Sequence, residues 1–350
     1  MSDHNPIYHL KDAYFFEVPK PLWRQGWTSL EEVPGFLKEP FSRDGLPMPS
    51  VEEFNAALDG KIVIPQPFGT LESLYAMKSG FGISKFMILE VILASLLLFL
   101  FTRLAAALRT GAPARGRFAN LFESMILFVR DQIARPAIDS HDHHDAEHGH
   151  DEGHGHESHA TASPGHGAGA KPQHDGDRFV PLLLTLFFFV LGCNLFGMLP
   201  WAGSPTASFS VTIALAGVTF LTVILAGMKK FGVVGFFTNQ VPAMDLPLPL
   251  AIVLKPMIFG IEMLGLCIKH LILAVRLLAN MVAGHLVLLG IMGLISAAAA
   301  YSTGLWATVT GISVVSCTLF SLLELFVAFL QAYIFTFLSA LFIGAAVHHH

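Results

Sequence analysis

The sequence predicts an all-α, polytopic membrane protein of about five spanning segments, the last two forming a long, steeply tilted helical hairpin. Three observations carry this. Of 350 residues, 53% are hydrophobic and only 13% charged, where a soluble domain averages roughly one-quarter charged. Five apolar runs each supply the ~20 residues that a bilayer asks of a spanning helix. The last two of these, Met257–Ile295 and Leu305–Val347, are far longer and contain no proline or turn residues that would make a hinge. The 39 helical residues of the first would extend about 58 Å, almost twice a ~30 Å hydrocarbon core. Ordinary tilt absorbs a few ångströms of mismatch, so a pair of steeply tilted helices is preferred to four short spans.

Residues 1–85 mix Trp23, Trp27 and several Phe with charges and prolines. They read as a partly ordered soluble arm with short helices, one of them at Ser50–Leu58, and no apolar core of the kind a cleavable signal peptide has. The first span is Phe86–Leu108, with Glu90 near its start. Arg103, Arg109, Arg115 and Arg117 crowd its far end, against Lys78 and Lys85 at the near one. The positive-inside rule therefore puts the arm outside and residue 109 in the cytoplasm. An amphipathic helix follows at Phe118–Ala134, with Phe118, Leu121, Phe122, Met125 and Val129 on one face and Arg117, Arg130 and Arg135 at its flanks. That pattern predicts a helix lying on the inner membrane surface, ended by Pro136. Residues 86–138 thus form one region.

Residues 139–178 change character. His141, His143, His144, His148 and His150 belong to a run of histidines mixed with Asp, Glu and Gly. With almost nothing apolar to bury, the segment reads as a disordered cytoplasmic loop. Weak metal binding or proton buffering is the sharper alternative, but no fixed ligand spacing stands out. Cys193, Cys267 and Cys317 lie inside apolar runs, which fits neither a disulfide framework nor a zinc site.

The channel region, residues 179–347, opens with spans at Phe179–Leu199 and Ala207–Met228. Lys229 and Lys230 close the second on the side that alternation makes cytoplasmic, in agreement with the first span. A Gly/Pro-rich link, Gly232–Pro249, leads to the hairpin region, residues 257–347.

The polar residues inside the hairpin carry the chemistry. At 100° per residue, Lys269 lies about 20° from Arg276 around the helix, and Glu262 and Asn280 about 40°. His285 falls about 180° away, on the opposite face. The last run carries Ser313, Cys317, Ser321, Glu324 and Gln331 at steps of 3, 4 or 7, a polar seam. In a hairpin turning at Ala297–Gly304, His285 and Glu324 become neighbours and a proton relay. Alone, His285 reads equally well as a satisfied core histidine. A charged group in hydrocarbon costs roughly 2.5–3.5 kcal/mol even on lenient scales, and a guanidinium cannot lose its proton to escape. Arg276 therefore either pairs with Glu262 or Glu324 in this chain, or faces another subunit or an ion pathway. Lys269 reads as snorkelling to the interface. Asn194 reads as structural, bonding freed backbone near a helix end.

The segment Arg276-Leu-Leu-Ala-Asn280-Met-Val-Ala-Gly284-His285 resembles the signature of subunit a of the rotary F-type ATP synthase. Asn194–Pro200 (NLFGMLP), Pro205-Thr206, Glu262 and Leu330–Phe335 (LQAYIF) match in family order, over roughly residues 80–347. The resemblance implies five spans with the last two packed against a ring of c subunits. Peripheral-stalk b subunits and the lipid bilayer would be the other partners, protons the transported ion, and a bacterial inner membrane the location. It implies that Arg276 faces the ring carboxylate, that Asn280 and Gln331 sit beside it, and that His285, Glu324 and Glu262 relay protons. Acid and imidazole occur either way round in that family. No cofactor, resident metal or nucleic acid is implied. No Gly-rich Walker segment is present, so the chain is not expected to hydrolyse ATP itself. The competing reading is a divalent-metal transporter, for which the spans supply only His270 and His285 beside a fixed cation.

Overall fold

The computed structural model describes residues 12–18, 26–33, 35, 37–38, 48–57, 60–108, 117–138, 175–199, 202–239 and 248–347. Among the described residues, five helices are long and apolar enough to cross a membrane: Lys85–Ala106, Val180–Gly197, Phe209–Phe236, Leu254–Ala299 and Thr303–Val347. The described residues form two compact units. The first draws on Met1–Arg103, Phe189–Leu215 and Ile272–Gln331, the second on Leu104–Phe188, Ala216–Leu271 and Ala332–His350.

The N-terminal arm, in the first unit, holds more than the expected short helices. Strand β1 (Phe15–Glu17) pairs antiparallel with β2 (Lys61–Val63), and β3 (Gly69–Ser73) with β4 (Ala76–Gly80). Helix α1 (Val51–Ala57) forms where expected. Its start is a capping box: the Glu53 amide donates to Ser50 Oγ at 3.3 Å, and the Ser50 amide donates to Glu53 Oε2 at 3.0 Å. Phe15, Val33, Phe54 and Ile64 bury their side chains together with Ala13. The arm is tied to the first span, α2 (Lys85–Leu108). The Lys85 amide donates to the Ala13 carbonyl at 2.8 Å and the Phe86 amide to Asp12 Oδ1 at 3.4 Å, which occupies helix-start donors that have no partner within the helix. Strand pairs of three to five residues leave too short an alternation to be read from sequence.

In the second unit, the amphipathic segment runs α3 (Arg117–Phe128), a π turn (Val129–Ala134) and α4 (Arg135–Ile138). Pro136 was expected to end it and does not. The π turn widens the backbone just ahead of the proline, with the Arg135 amide bonded to the Arg130 carbonyl five residues back, so the ring and the missing N–H are tolerated. Val129, Ile133, Ala134, Ala137 and Ile138 are buried, whereas Leu121 is exposed. The end of the segment is core, and nearer its start Phe122 is half-buried, its ring 5.5 Å from that of Phe188.

The His-rich stretch lies outside the described residues up to position 174, including His141, His143, His144, His148 and His150. Its last four residues, expected as loop, form a 3₁₀ turn (Asp175–Arg178) clamped to α4. Arg135 Nε and Nη2 reach the two Asp177 oxygens at 2.9 and 3.0 Å, and Arg135 Nη1 reaches Asp131 at 3.1 Å.

Helix α5 (Val180–Gly197) is followed by a 3₁₀ turn (Pro205–Ala207) and α6 (Phe209–Asn239). The expected link at 232–249 is helical up to Asn239. Gly232 breaks α6 with a φ of 76°, in the left-handed region open to glycine. Residues 240–247 lie outside the description. Helix α7 (Leu248–Ala299) begins earlier than the sequence suggested, running through Pro256, and α8 (Thr303–Val347) follows after a tight turn. The two helices, 52 and 45 residues long, extend about 78 and 68 Å. Neither is divided into two spans.

Candidate functional site

The first unit contains the polar part of the hairpin, and the arrangement follows from where α7 is buried. Leu273, Ala274, Leu277 and Met281 are nearly inaccessible, and Gly284 is buried on the same stripe. This is the 3–4 spacing of a packed helix face. Arg276 points away from it. Its neighbours Ile272, Val275 and Leu286 are exposed, and so are Leu322 and Phe326 on α8. Arg276 is itself exposed and makes no ion pair or hydrogen bond among the described residues. The in-chain pairing with Glu324 is therefore not made: Glu324 faces His285 instead. Glu262 belongs to the second unit and is exposed, also without a described partner. Asn280 and Gln331 are half-buried in the first unit; no described hydrogen bond joins them to Arg276 or to each other.

His285 and Glu324 come together as their helical positions suggested. His285 Nδ1 lies 3.0 Å from the Met281 carbonyl oxygen and 3.6 Å from Glu324 Oε1. A carbonyl only accepts, so the hydrogen in that contact sits on Nδ1 and leaves Nε2 as the free proton site. Glu324 is buried, with 9% of its side chain accessible. Its Oε1 has no hydrogen-bond partner among the described residues. A buried carboxyl oxygen normally finds one, because desolvation without a bond costs about 1–3 kcal/mol. Closing the 3.6 Å gap would let the Nδ1 hydrogen be shared between the Met281 carbonyl and Oε1.

Gly284 makes this geometry possible. A Cβ at that position would lie 2.6 Å from Glu324 Oε1, so only the bare helix backbone leaves room for the carboxyl. From sequence alone Gly284 stood only as one residue of the Arg276–His285 segment, with no role of its own. A glycine inside a long helix, costing about 1 kcal/mol relative to alanine, was the available signal of a close approach.

A second polar chain reaches α8 from α5. Asn194 Nδ2 donates to the Ala328 carbonyl of α8 at 3.3 Å, while Thr206 Oγ1 donates to Asn194 Oδ1 at 2.8 Å. Ser204 and Thr206 hydroxyls are 3.1 Å apart, and all three side chains are buried. Asn194 is structural, as expected, but its acceptor lies inside α8, one turn beyond Glu324, and not at a freed helix end. Gly197 again permits the approach: a Cβ there would meet Met281 and Ser204.

In the second unit, His270 is a packed histidine. Its Nδ1 sits 2.9 Å from the Leu266 carbonyl, and its ring lies 5.2 Å from Phe220 and 4.9 Å from Phe342. No group of three His, Cys, Asp or Glu able to hold a metal occurs among the described residues.

Comparison with known proteins adds a family. Residues 168–344 match the sequence profile described as ATP synthase A chain. Among relatives, an ATP synthase subunit a of Anaeromyxobacter sp. (strain Fw109-5) is 32% identical over 348 residues, covering 98% of this chain and 70% of the relative. One from Anaeromyxobacter dehalogenans (strain 2CP-1 / ATCC BAA-258) is 47% identical over 179 residues, covering 51% and 44%. One from Chloroherpeton thalassium is 33% identical over 303 residues, covering 85% and 77%.

Proposed function

The chain belongs to the ATP synthase subunit a family, and from that premise we propose that it is the stator subunit of the ATP synthase membrane sector. In this reading it forms two offset half-channels that pass protons to and from carboxylates on a rotating c-ring, with b subunits as its stalk partners. The observation that carries the reading is Arg276: a permanent cation on an exposed apolar helix face, with no partner among the described residues. Such a group needs a counter-charge from another subunit to be tolerated in hydrocarbon.

A ring carboxylate that reaches Arg276 meets a positive charge, which favours its ionised form and releases its proton. Arg276 cannot carry that proton onward, so it divides the two access paths and prevents a leak. Asn280 and Gln331 orient the encounter from either helix. Glu324 and His285 relay protons on the outward path, with Glu262 as a third relay carboxylate. The inward path opens towards the Arg-rich cytoplasmic side. A proton driven across ~100 mV yields about 2.3 kcal/mol, and offset paths oblige that energy to pass through rotation.

Replacing Arg276 by alanine in the complete reconstituted complex should abolish ATP-driven proton pumping, measured by quenching of a pH-sensitive dye in vesicles. Full coupled pumping by R276A would sink the assignment.

A further inference from the structure

The second unit contains a cavity lined by none of the residues named above for proton transfer. It encloses about 410 Å³, and Arg178, Phe179, Leu225, Lys229, Lys230 and Val347 line it. Its construction is specific. Arg135 grips both oxygens of Asp177, which fixes the turn that presents Arg178 and engages the neighbouring acid. Gly227 lets α6 lie against the Ala346 carbonyl of α8, 3.2 Å from where a Cβ would stand, and against the Phe236 ring. The break at Gly232 is what allows buried Phe236 to follow.

The chemistry of the lining is divided. Phe179, Leu225 and Val347 give the lining an apolar part, and Arg178, Lys229 and Lys230 give it three cations. A small inorganic anion would gain nothing from the apolar side chains, and an uncharged amphiphile nothing from the cations. A headgroup with its own ammonium would partly neutralise its phosphate. Basic pockets between spanning helices on the cytoplasmic side suit anionic lipid headgroups, and phosphate accepts charge-assisted bonds from Arg and Lys together.

We propose that this cavity binds an anionic phospholipid, its phosphate between Arg178, Lys229 and Lys230 and an acyl chain along Phe179, Leu225 and Val347. The lipid joins α8 to the turn after the His-rich segment, and acts as a fixed part of the second unit.

The test is native mass spectrometry of the full-length chain in detergent, titrated with phosphatidylglycerol or phosphatidylcholine. One phosphatidylglycerol should stay bound at activation energies that strip phosphatidylcholine. The pair R178Q and K229Q should weaken its binding at least tenfold, whereas the charge-matched pair K255Q and K269Q, on exposed positions of α7, should not. Phosphatidylglycerol should also raise the melting temperature of the parent chain and of K255Q/K269Q, but not of R178Q/K229Q, which guards against misfolding as the cause. Equal losses in both pairs would reduce the effect to bulk charge and overturn the proposal. So would displacement of the lipid by millimolar inorganic phosphate, unchanged lipid binding with lost assembly of the stalk subunits, or binding that appears only after residues 348–350 are removed.

Discussion

At Gly284 the missing side chain decides where the Glu324 carboxyl can sit. A methyl group there would fall 2.6 Å from Oε1, but the atom it meets is the far end of a flexible side chain. Gly284→Ala should therefore change stability by less than about 1 kcal/mol, because the gain in helix propensity offsets the contact. It should nonetheless lower passive proton flux through the membrane sector several-fold by moving Glu324 away from His285. Flux in vesicles, set beside the melting temperature, checks both halves; unchanged flux would show that the 3.6 Å pairing has no bearing on conduction. Glu324 is held inside by its own chain, and Arg276 is held by nothing described in it.

At the scale of elements, packing depends on close backbone approaches. Gly344 on α8 lies against the Ala137 carbonyl and the Ile138 Cα of α4, the latter 3.2 Å from a modest added Cβ. Backbone cannot swing aside as a carboxylate can, so Gly344→Ala should destabilise by about 1–3 kcal/mol, read as a lower melting temperature. The ion network on α4 adds a pH dependence. The hydrogen bond from Arg130, followed by the charges of Arg130 and Arg135, holds the Asp131 carboxyl below the usual carboxylate range. A depressed acid contributes stability above its unfolded pKa and loses it as pH falls through the folded value. The clamp should hold above about pH 4 and loosen below it. Proteolysis between α4 and the Asp175–Arg178 turn should accelerate on acidification, and Asp131→Asn should flatten that response.

At the scale of the whole molecule, charge and length speak to orientation. Arginines gather at the Arg103–Arg117 end of α2, and Lys229 and Lys230 lie on α6. Alternation of five spans from these ends predicts the arm outside and residues 139–178 in the cytoplasm. Protease added to right-side-out vesicles should therefore clip the arm and spare the His-rich segment, and inverted vesicles should give the reverse. Cleavage of both segments from one side would overturn the topology. The arm's ties to α2 through Asp12 and Ala13 lead us to expect slow clipping there, since its backbone donors are engaged.

What the sequence determined alone was whatever depends on composition and period. Five apolar runs, two of them too long to stand upright, established a helical membrane protein with a long final pair. The 180° offset between Arg276 and His285 separated an outward cation from an inward imidazole, because helical phase is fixed by residue number. Only the tertiary structure decided which groups meet across elements. It brought Glu324 to His285 over bare Gly284, aimed Asn194 at the Ala328 carbonyl, and carried α4 past Pro136 on a π turn. It also set Arg178 in one cavity lining with Lys229, Lys230 and Val347, and tied the arm to the first span. Those contacts join residues far apart in the chain, and no local period records them. They depend on backbones approaching closely enough for single missing methyl groups to matter.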